Sequence, residues 1–326
     1  MRRRGRRRRG RSCEGGGGEG GAAWAEAARA EAARAEAARA ARAARKEEAR
    51  AEEAWAEEAA RAEEEAWARA REWVKSSLHV FGFDEKAKKI EGMLFGSEVA
   101  IGFLAIGIVG IAGAGKTTVV RKVLNIKRVR YEFSPIIQLC PSDIIKEEEF
   151  TRAVSISIVA SILKQLGDNA NDDTDQEEGI RLGKHLKRLN ELLRGKKYLI
   201  VLDDVWHMND FYSDLAGGVE DDNTWDRLSH GLPKDSGGAV MVTTRITRVA
   251  RGMVGDQKNL ILVEQLDRES CWRIFMDSIA DQVTYSTRIT LLRMKKEIQD
   301  QSLGLPLIAK TLAEFLPKKI GRLRID

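Results

Sequence analysis

Nine consecutive residues, Gly110–Thr118 (GIAGAGKTT), carry the most specific chemistry in the chain. Gly110, Gly115, Lys116 and Thr117 fit the pattern G-x-x-x-x-G-K-[ST], which cradles phosphate. Glycines let backbone N–H groups close around phosphate oxygens, and a helix starting at Lys116 adds partial positive charge. The ammonium of Lys116 is expected to reach the β- and γ-phosphates, and the hydroxyl of Thr117 to ligate Mg²⁺. A bare glycine-rich turn with an exposed lysine is the bland alternative, and the apolar run before the motif argues against it.

Two further stretches pair an apolar strand with polar residues at its exit. Tyr198–Trp206 reads YLIVLDDVW, five residues buried on both faces and then two carboxylates. Ligands of open α/β sheets bind at that edge. Asp203 is placed to hold the Mg²⁺ shell and Asp204 to orient or deprotonate a water. A cap or turn role for Asp204 stays open. Val240–Arg245 (VMVTTR) repeats the design, with Arg245 placed to contact a γ-phosphate and so to tell ATP from ADP, or to stand as a surface arginine.

These groups need a parallel sheet to bring them together, and the pattern after Val74 supplies one. Strands are expected at Ala105–Ile111, Ile136–Leu139, Tyr198–Leu202, Ala239–Thr243 and Leu260–Val263. Helices are expected at Lys116–Val123, at Glu148–Leu166 with Ala153, Ile156, Ile158, Val159 and Ile162 inward, and at Glu177–Arg194, stopped by Gly195. Gly167–Gln176 is a polar acidic loop, and from Ser270 the pattern is helical, interrupted at Leu305-Pro306.

Composition bounds the rest. The 326 residues are 43% hydrophobic and 32% charged, enough for about two domains. Cys13, Cys140 and Cys271 are far apart and odd in number, which excludes a disulfide scaffold and suggests a reducing compartment. His79, His185, His207 and His230 form no Cys/His cluster of zinc type. The apolar run Val99–Gly115 is too short and glycine-rich to span a membrane. A cytoplasmic chain is expected.

Residues 1–73 are of another kind, almost entirely Arg, Gly, Ala, Glu and Trp. Arg2–Arg11 holds eight arginines, Gly15–Gly21 is glycine-rich, and EAARA recurs at Glu26, Glu31 and Glu36. Alanine, glutamate and arginine favour helix, but a five-residue period lays down no fixed apolar stripe. A solvated single helix follows, about 75 Å long if unbroken over Trp24–Trp73. The arginine arm admits nuclear import or nucleic-acid contact; the nearly neutral remainder gives no reason to expect nucleic acid elsewhere.

GIAGAGKTT, LIVLDDVW, GGAVMVTTR-x-x-x-VA, LVEQLDRESCWRIF and GLPL stand in the order and spacing of the NB-ARC domain of plant NLR-type disease-resistance proteins, which this chain resembles from about Val80 to Leu316. The resemblance implies a STAND-class P-loop NTPase switch that holds ADP when off and ATP when on. It implies an α/β three-layer fold with about five parallel strands in order 5-1-4-3-2 and a small helical subdomain after it. By that resemblance Gly110, Ala112, Gly113, Ala114, Gly115, Lys116, Thr117, Thr118, Val80, Phe81, Arg245, Pro306 and Leu307 contact the nucleotide. Thr117 and Asp203 hold Mg²⁺, and Lys116, Asp204 and Arg245 serve any catalysis. The partners implied are ADP or ATP with Mg²⁺, other NLR-type proteins and self-association.

The expected layout is an arm at 1–21, a helix at 22–73, the nucleotide-binding domain at 74–267 and a helical subdomain at 268–326. The family's later MHD motif and leucine-rich repeats are not found before Asp326, so a module truncated after GLPL with slow or absent hydrolysis is expected. Pro141 is expected to end the second strand early. The acidic stretch His207–Asp226 has no functional reading. The rival reading is a non-hydrolysing adaptor that works through the N-terminal helix and arm, its P-loop fold serving as scaffold.

Overall fold

The computed structural model describes residues 34, 36–37, 39–47, 50, 81–96, 102–145, 150–168, 177–217, 225–280 and 283–322. The chain divides into two compact units, Met1–Glu57 and Glu58–Asp326. In the first, every described residue between 34 and 50 is helical and exposed. That is how an Ala/Glu/Arg sequence without a stripe of large apolar residues behaves: propensity makes the helix, and there is nothing to bury.

The second unit is built on a sheet of five parallel strands, β1 (Leu104–Val109), β2 (Ile136–Leu139), β3 (Leu199–Leu202), β4 (Ala239–Thr244) and β5 (Leu260–Leu262). Their order across the sheet is β2-β3-β4-β1-β5, the expected order read from its other edge. Every residue of β1, β3 and β4 is buried, because helices cover both faces.

Alternation along each strand sorts the core into two layers. Ile200, Leu202, Val240 and Val242 face one layer with α5 (Arg152–Gln165) and α6 (Glu178–Leu193). Leu199, Val201, Ala239 and Met241 face the other with α1 (Asp84–Leu94) and α2 (Lys116–Leu124). Each such Leu or Ile contributes roughly 1.5–3 kcal/mol by leaving water. Short helices α3 (Lys127–Glu132) and α4 (Pro141–Ile144) flank β2, and α7 (Thr247–Val254) runs between β4 and β5.

Four helices follow: α8 (Arg268–Ser278), α9 (Tyr285–Arg293), α10 (Lys295–Gln301) and α11 (Pro306–Arg322). They gather their own core of Trp272, Phe275, Ile279, Leu291, Ile298 and Ala313. Asp267 caps α8 by accepting from the Ser270 N–H at 2.8 Å.

Several boundaries differ from expectation. α5 starts at Arg152, not Glu148, and Ala153 is exposed while Ser155 is buried. β1 ends at Val109, so Gly110 and Ile111 belong to the loop. The helical pattern is broken at 302–305, next to the expected Leu305-Pro306 interruption, and Pro306 then opens α11, where its missing N–H costs nothing. Pro141 likewise opens α4, and β2 ends at Leu139 as expected. In the acidic stretch His207–Asp226, Phe211 and Tyr212 lie in a 3₁₀ turn and are buried, while 218–224 falls outside the described residues, as does most of Gly167–Gln176.

Candidate functional site

The loop between β1 and α2 closes tightly because two of its glycines leave no room for a side chain. A Cβ on Gly110 would lie 2.6 Å from the Val263 carbonyl oxygen. Gly115 stands at the helix N-cap with φ +98°, where a Cβ would meet the Phe83 ring at 2.5 Å. Phe83 itself is almost fully buried, so α1's leading residue acts as the floor of the loop. The first turn of α2 then presents unpaired N–H groups and the positive end of its dipole outward.

The Lys116 ammonium folds back across this mouth, donating to the carbonyls of Gly110 at 2.9 Å and Ile111 at 3.1 Å. Burial pushes its pKa down; Asp204 and Asp203 pull it back up, and Arg245 lowers it further. Lysine, both aspartates and the arginine therefore share one electrostatic neighbourhood.

Asp203 leaves β3 with its carboxylate held from two sides. The Thr117 hydroxyl donates to it at 2.9 and 3.1 Å, and the Thr243 hydroxyl donates to it at 2.5 Å. Asp204 follows in the left-handed region, φ +54°, which non-glycine residues rarely adopt. Its N–H donates to the Thr243 hydroxyl at 2.8 Å. Its two carboxylate oxygens accept from Arg245, Nε at 3.3 Å and the terminal guanidinium nitrogen at 3.2 Å. This forked pair is half exposed, so it is weakly held and separable. Cys140, at the exit of β2, is a free thiol that burial pushes up in pKa.

The helical subdomain touches the same loop. The Leu307 N–H donates to the Gly113 carbonyl at 3.4 Å, bringing the GLPL segment onto the phosphate loop. Leu307 is exposed there and Pro306 is buried.

The residues fit a nucleotide phosphate. The helix N-terminus offers orphan donors, Gly115 has no side chain to block approach, and Lys116 is already at the mouth. They also fit Mg²⁺, for which Thr117 and Asp203 supply hard oxygen ligands. Among the described residues no group of three or more His, Cys, Asp or Glu gathers around one point, so phosphate oxygens and water would complete the shell.

A family model described as the NB-ARC domain matches residues 83–284. The chain belongs to the NB-ARC domain family. Among curated relatives, the "Disease resistance RPP13-like protein 4" of Arabidopsis thaliana is 32% identical over 74% of this chain and 25% of its own length. The "Disease resistance protein RGA2" of Solanum bulbocastanum is 32% identical over 78% of this chain and 24% of its own. The "Probable disease resistance protein At4g19060" of Arabidopsis thaliana is 30% identical over 74% of each chain. The match thus spans about a quarter of the first two and three quarters of the third. The solved structure of Cdc6p from Pyrobaculum aerophilum overlays 63% of this chain and 52% of that one, with 17% identity and a TM-score of 0.45.

Within this NB-ARC chain, the structure brings Lys116, Thr117, Asp203, Asp204 and Arg245 together. Gly113 and Gly115 lie on the loop, Ala112 at its exposed tip and Thr118 in the first turn of α2. Gly110 lies at the start of the loop, where its N–H donates to the Thr244 carbonyl at 3.3 Å and its carbonyl accepts from the Lys116 ammonium at 2.9 Å. The Ala114 N–H likewise turns inward to the Ile111 carbonyl at 3.3 Å. Phe81 packs against Cys271, Ile274 and Ala309. Val80 lies outside the described residues. The roles of Phe83 and Thr243 were missed. Thr243 stands inside VMVTTR and Phe83 just before α1, but nothing in their spacing says which neighbour they touch. Among the described residues no helix is long and apolar enough to cross a membrane.

Proposed function

We propose that this NB-ARC chain is a Mg²⁺-dependent ADP/ATP switch module of a plant disease-resistance type protein, acting in the cytoplasm, with slow or absent hydrolysis. The observation that carries this reading is the convergence of Lys116, Thr117 and Asp203 beside an Arg245 that is turned onto Asp204. Lys116 and the α2 N-terminus would bind and orient the phosphates, while Thr117 and Asp203 would hold the cation, which would supply neutralising charge there. Arg245 has a partner that it can exchange for a γ-phosphate at small cost, as a sensor of ATP against ADP requires. The same pair supports slow hydrolysis, since both oxygens of the candidate base Asp204 are occupied until Arg245 leaves. Leu307, bonded to the loop, couples the helical subdomain to whatever the loop holds. The names of the relatives support the defence role.

The test is to purify the full chain, denature it and identify released nucleotide by chromatography, with Lys116→Ala as control. Near-stoichiometric ADP that is absent from the control supports the switch. A protein that carries none and takes up neither added ADP nor ATP removes the reading. An adaptor acting through the exposed N-terminal helix would then take its place.

A further inference from the structure

Thr243 carries no role in the reading above, yet its hydroxyl both donates and accepts. A threonine hydroxyl has one proton and can accept as well. Here the proton goes to the Asp203 carboxylate, and the oxygen accepts the Asp204 N–H at 2.8 Å. The main chain of the same residue adds a third tie, since the Thr243 carbonyl accepts the Val205 N–H at 2.9 Å. Thr243 itself is fully buried, while its two aspartate partners are partly exposed. Three successive residues leaving β3 are thereby referenced to a single residue of β4.

The consequence is largest at Asp204. Its left-handed backbone costs about 1–3 kcal/mol and persists only where surroundings over-determine it. The hydrogen bond to Thr243 is the contact that catches its N–H in that turn. The turn in turn aims the Asp204 carboxylate at Arg245. The Asp203 carboxylate instead accepts from the Thr117 hydroxyl. One hydroxyl thus divides two adjacent carboxylates between a cation site and an arginine.

We propose that Thr243 is the positioning residue of this site, setting Asp203 for the cation and Asp204 for Arg245 through its single hydroxyl. The proposal rests on the nucleotide-switch reading for its consequence but not for its geometry, and the test separates the two. Thr243→Val keeps the shape and removes the hydroxyl; Thr243→Ser keeps the hydroxyl. In the nucleotide-free full chain, amide exchange at Asp204, followed by NMR, is expected to speed up at least roughly tenfold in the valine variant, as loss of about one buried hydrogen bond implies. The serine variant is expected to restore protection. Unchanged exchange in the valine variant, or equal loss in both, overturns the proposal.

Nucleotide affinity is measured next, with Mg²⁺ and with EDTA. The valine variant is expected to lose roughly tenfold with Mg²⁺ and less than about twofold with EDTA, because Lys116 and the loop are untouched. Equal loss in both conditions marks general damage and overturns the positioning role. If the native chain itself binds no nucleotide, the switch reading fails, and the Asp204 exchange result still decides whether Thr243 positions the turn.

Discussion

The rim of the sheet at Lys116, Asp203 and Arg245 and the flank at Phe211–Leu215 both place charge among apolar residues, and they do so in opposite ways. At the rim every polar group is answered by another: Lys116 by loop carbonyls, Asp203 by two hydroxyls, Asp204 by Arg245. The arrangement stays partly open, so its partners can be exchanged for a ligand. On the flank, Phe211, Tyr212 and Leu215 are buried, with Phe150 5.4 Å from the Tyr212 ring. The backbone N–H groups of Asp214 and Leu215 are pinned to the carbonyls of Gly252 and Met253 at 2.8 Å.

Lys234 closes that flank, donating to the Leu215 carbonyl with its ammonium 3.5 Å above the Phe103 ring. Burial outweighs these contacts and the attraction of Asp214, and its pKa is pushed down to about 7. The Tyr212 hydroxyl has no hydrogen-bond partner among the described residues, and burial raises its pKa. The rim places polar groups for use, whereas the flank tolerates them for the sake of packing. Mutations at the two places should therefore separate ligand affinity from stability.

The largest effect is expected on the flank. Phe211→Ala should cost about 3–5 kcal/mol of unfolding free energy, as cavity-forming aromatic truncations do. Urea titration would show it, and nucleotide affinity per folded molecule should not change. A cost below about 1 kcal/mol would mean that the segment is not core.

At the rim the effects reverse. Lys116→Ala should lower nucleotide affinity by roughly a hundredfold, since a charge-assisted contact to phosphate is removed, while leaving the urea midpoint of the nucleotide-free protein nearly unchanged. Calorimetric titration paired with urea unfolding checks both halves. A large drop in stability would erase the contrast between the two regions.

Lys234 sharpens it through pH. Unfolded, the lysine titrates near 10.4; folded, near 7, so between these values the unfolded chain binds the extra proton. Its contribution to stability therefore rises with pH from about 7 toward 10, and below 7 the penalty of a buried ammonium is complete. Lys234→Met should flatten that rise in urea midpoints measured at pH 6, 8 and 9.5. An unaltered slope would place the titration elsewhere.

The smallest effect on folding is expected for Arg245→Ala. A half-exposed ion pair adds about 0–1 kcal/mol, so thermal unfolding should hardly shift. The readout that should move is the preference for ATP over ADP in competition titrations. An unaltered preference would leave Arg245 as a surface arginine.

The five strands and the phosphate loop are legible in the amino acids alone, whereas the order of the strands is what the resemblance to the NB-ARC domain implies. The strands and the loop rest on local information: runs of apolar residues such as LIVL and a glycine pattern that only one loop geometry satisfies. Composition likewise accounts for the exposed helical residues described between 34 and 50, since alanine and charged side chains need no apolar partner. What the chain order does not encode is which distant residues meet. Thr243 and Asp203 are 40 positions apart, and their hydrogen bond exists because β3 and β4 lie side by side in a given register. Phe83 becomes the floor of the loop only when α1 packs against α2. Phe211, Tyr212 and Lys234 sit in an acidic, motif-free stretch and its sequel, and burial there comes from the docking of that segment on α7. Periodicity reports a residue's own element, whereas the partner across space, and with it the state of a buried polar group, is a property of the assembled fold alone.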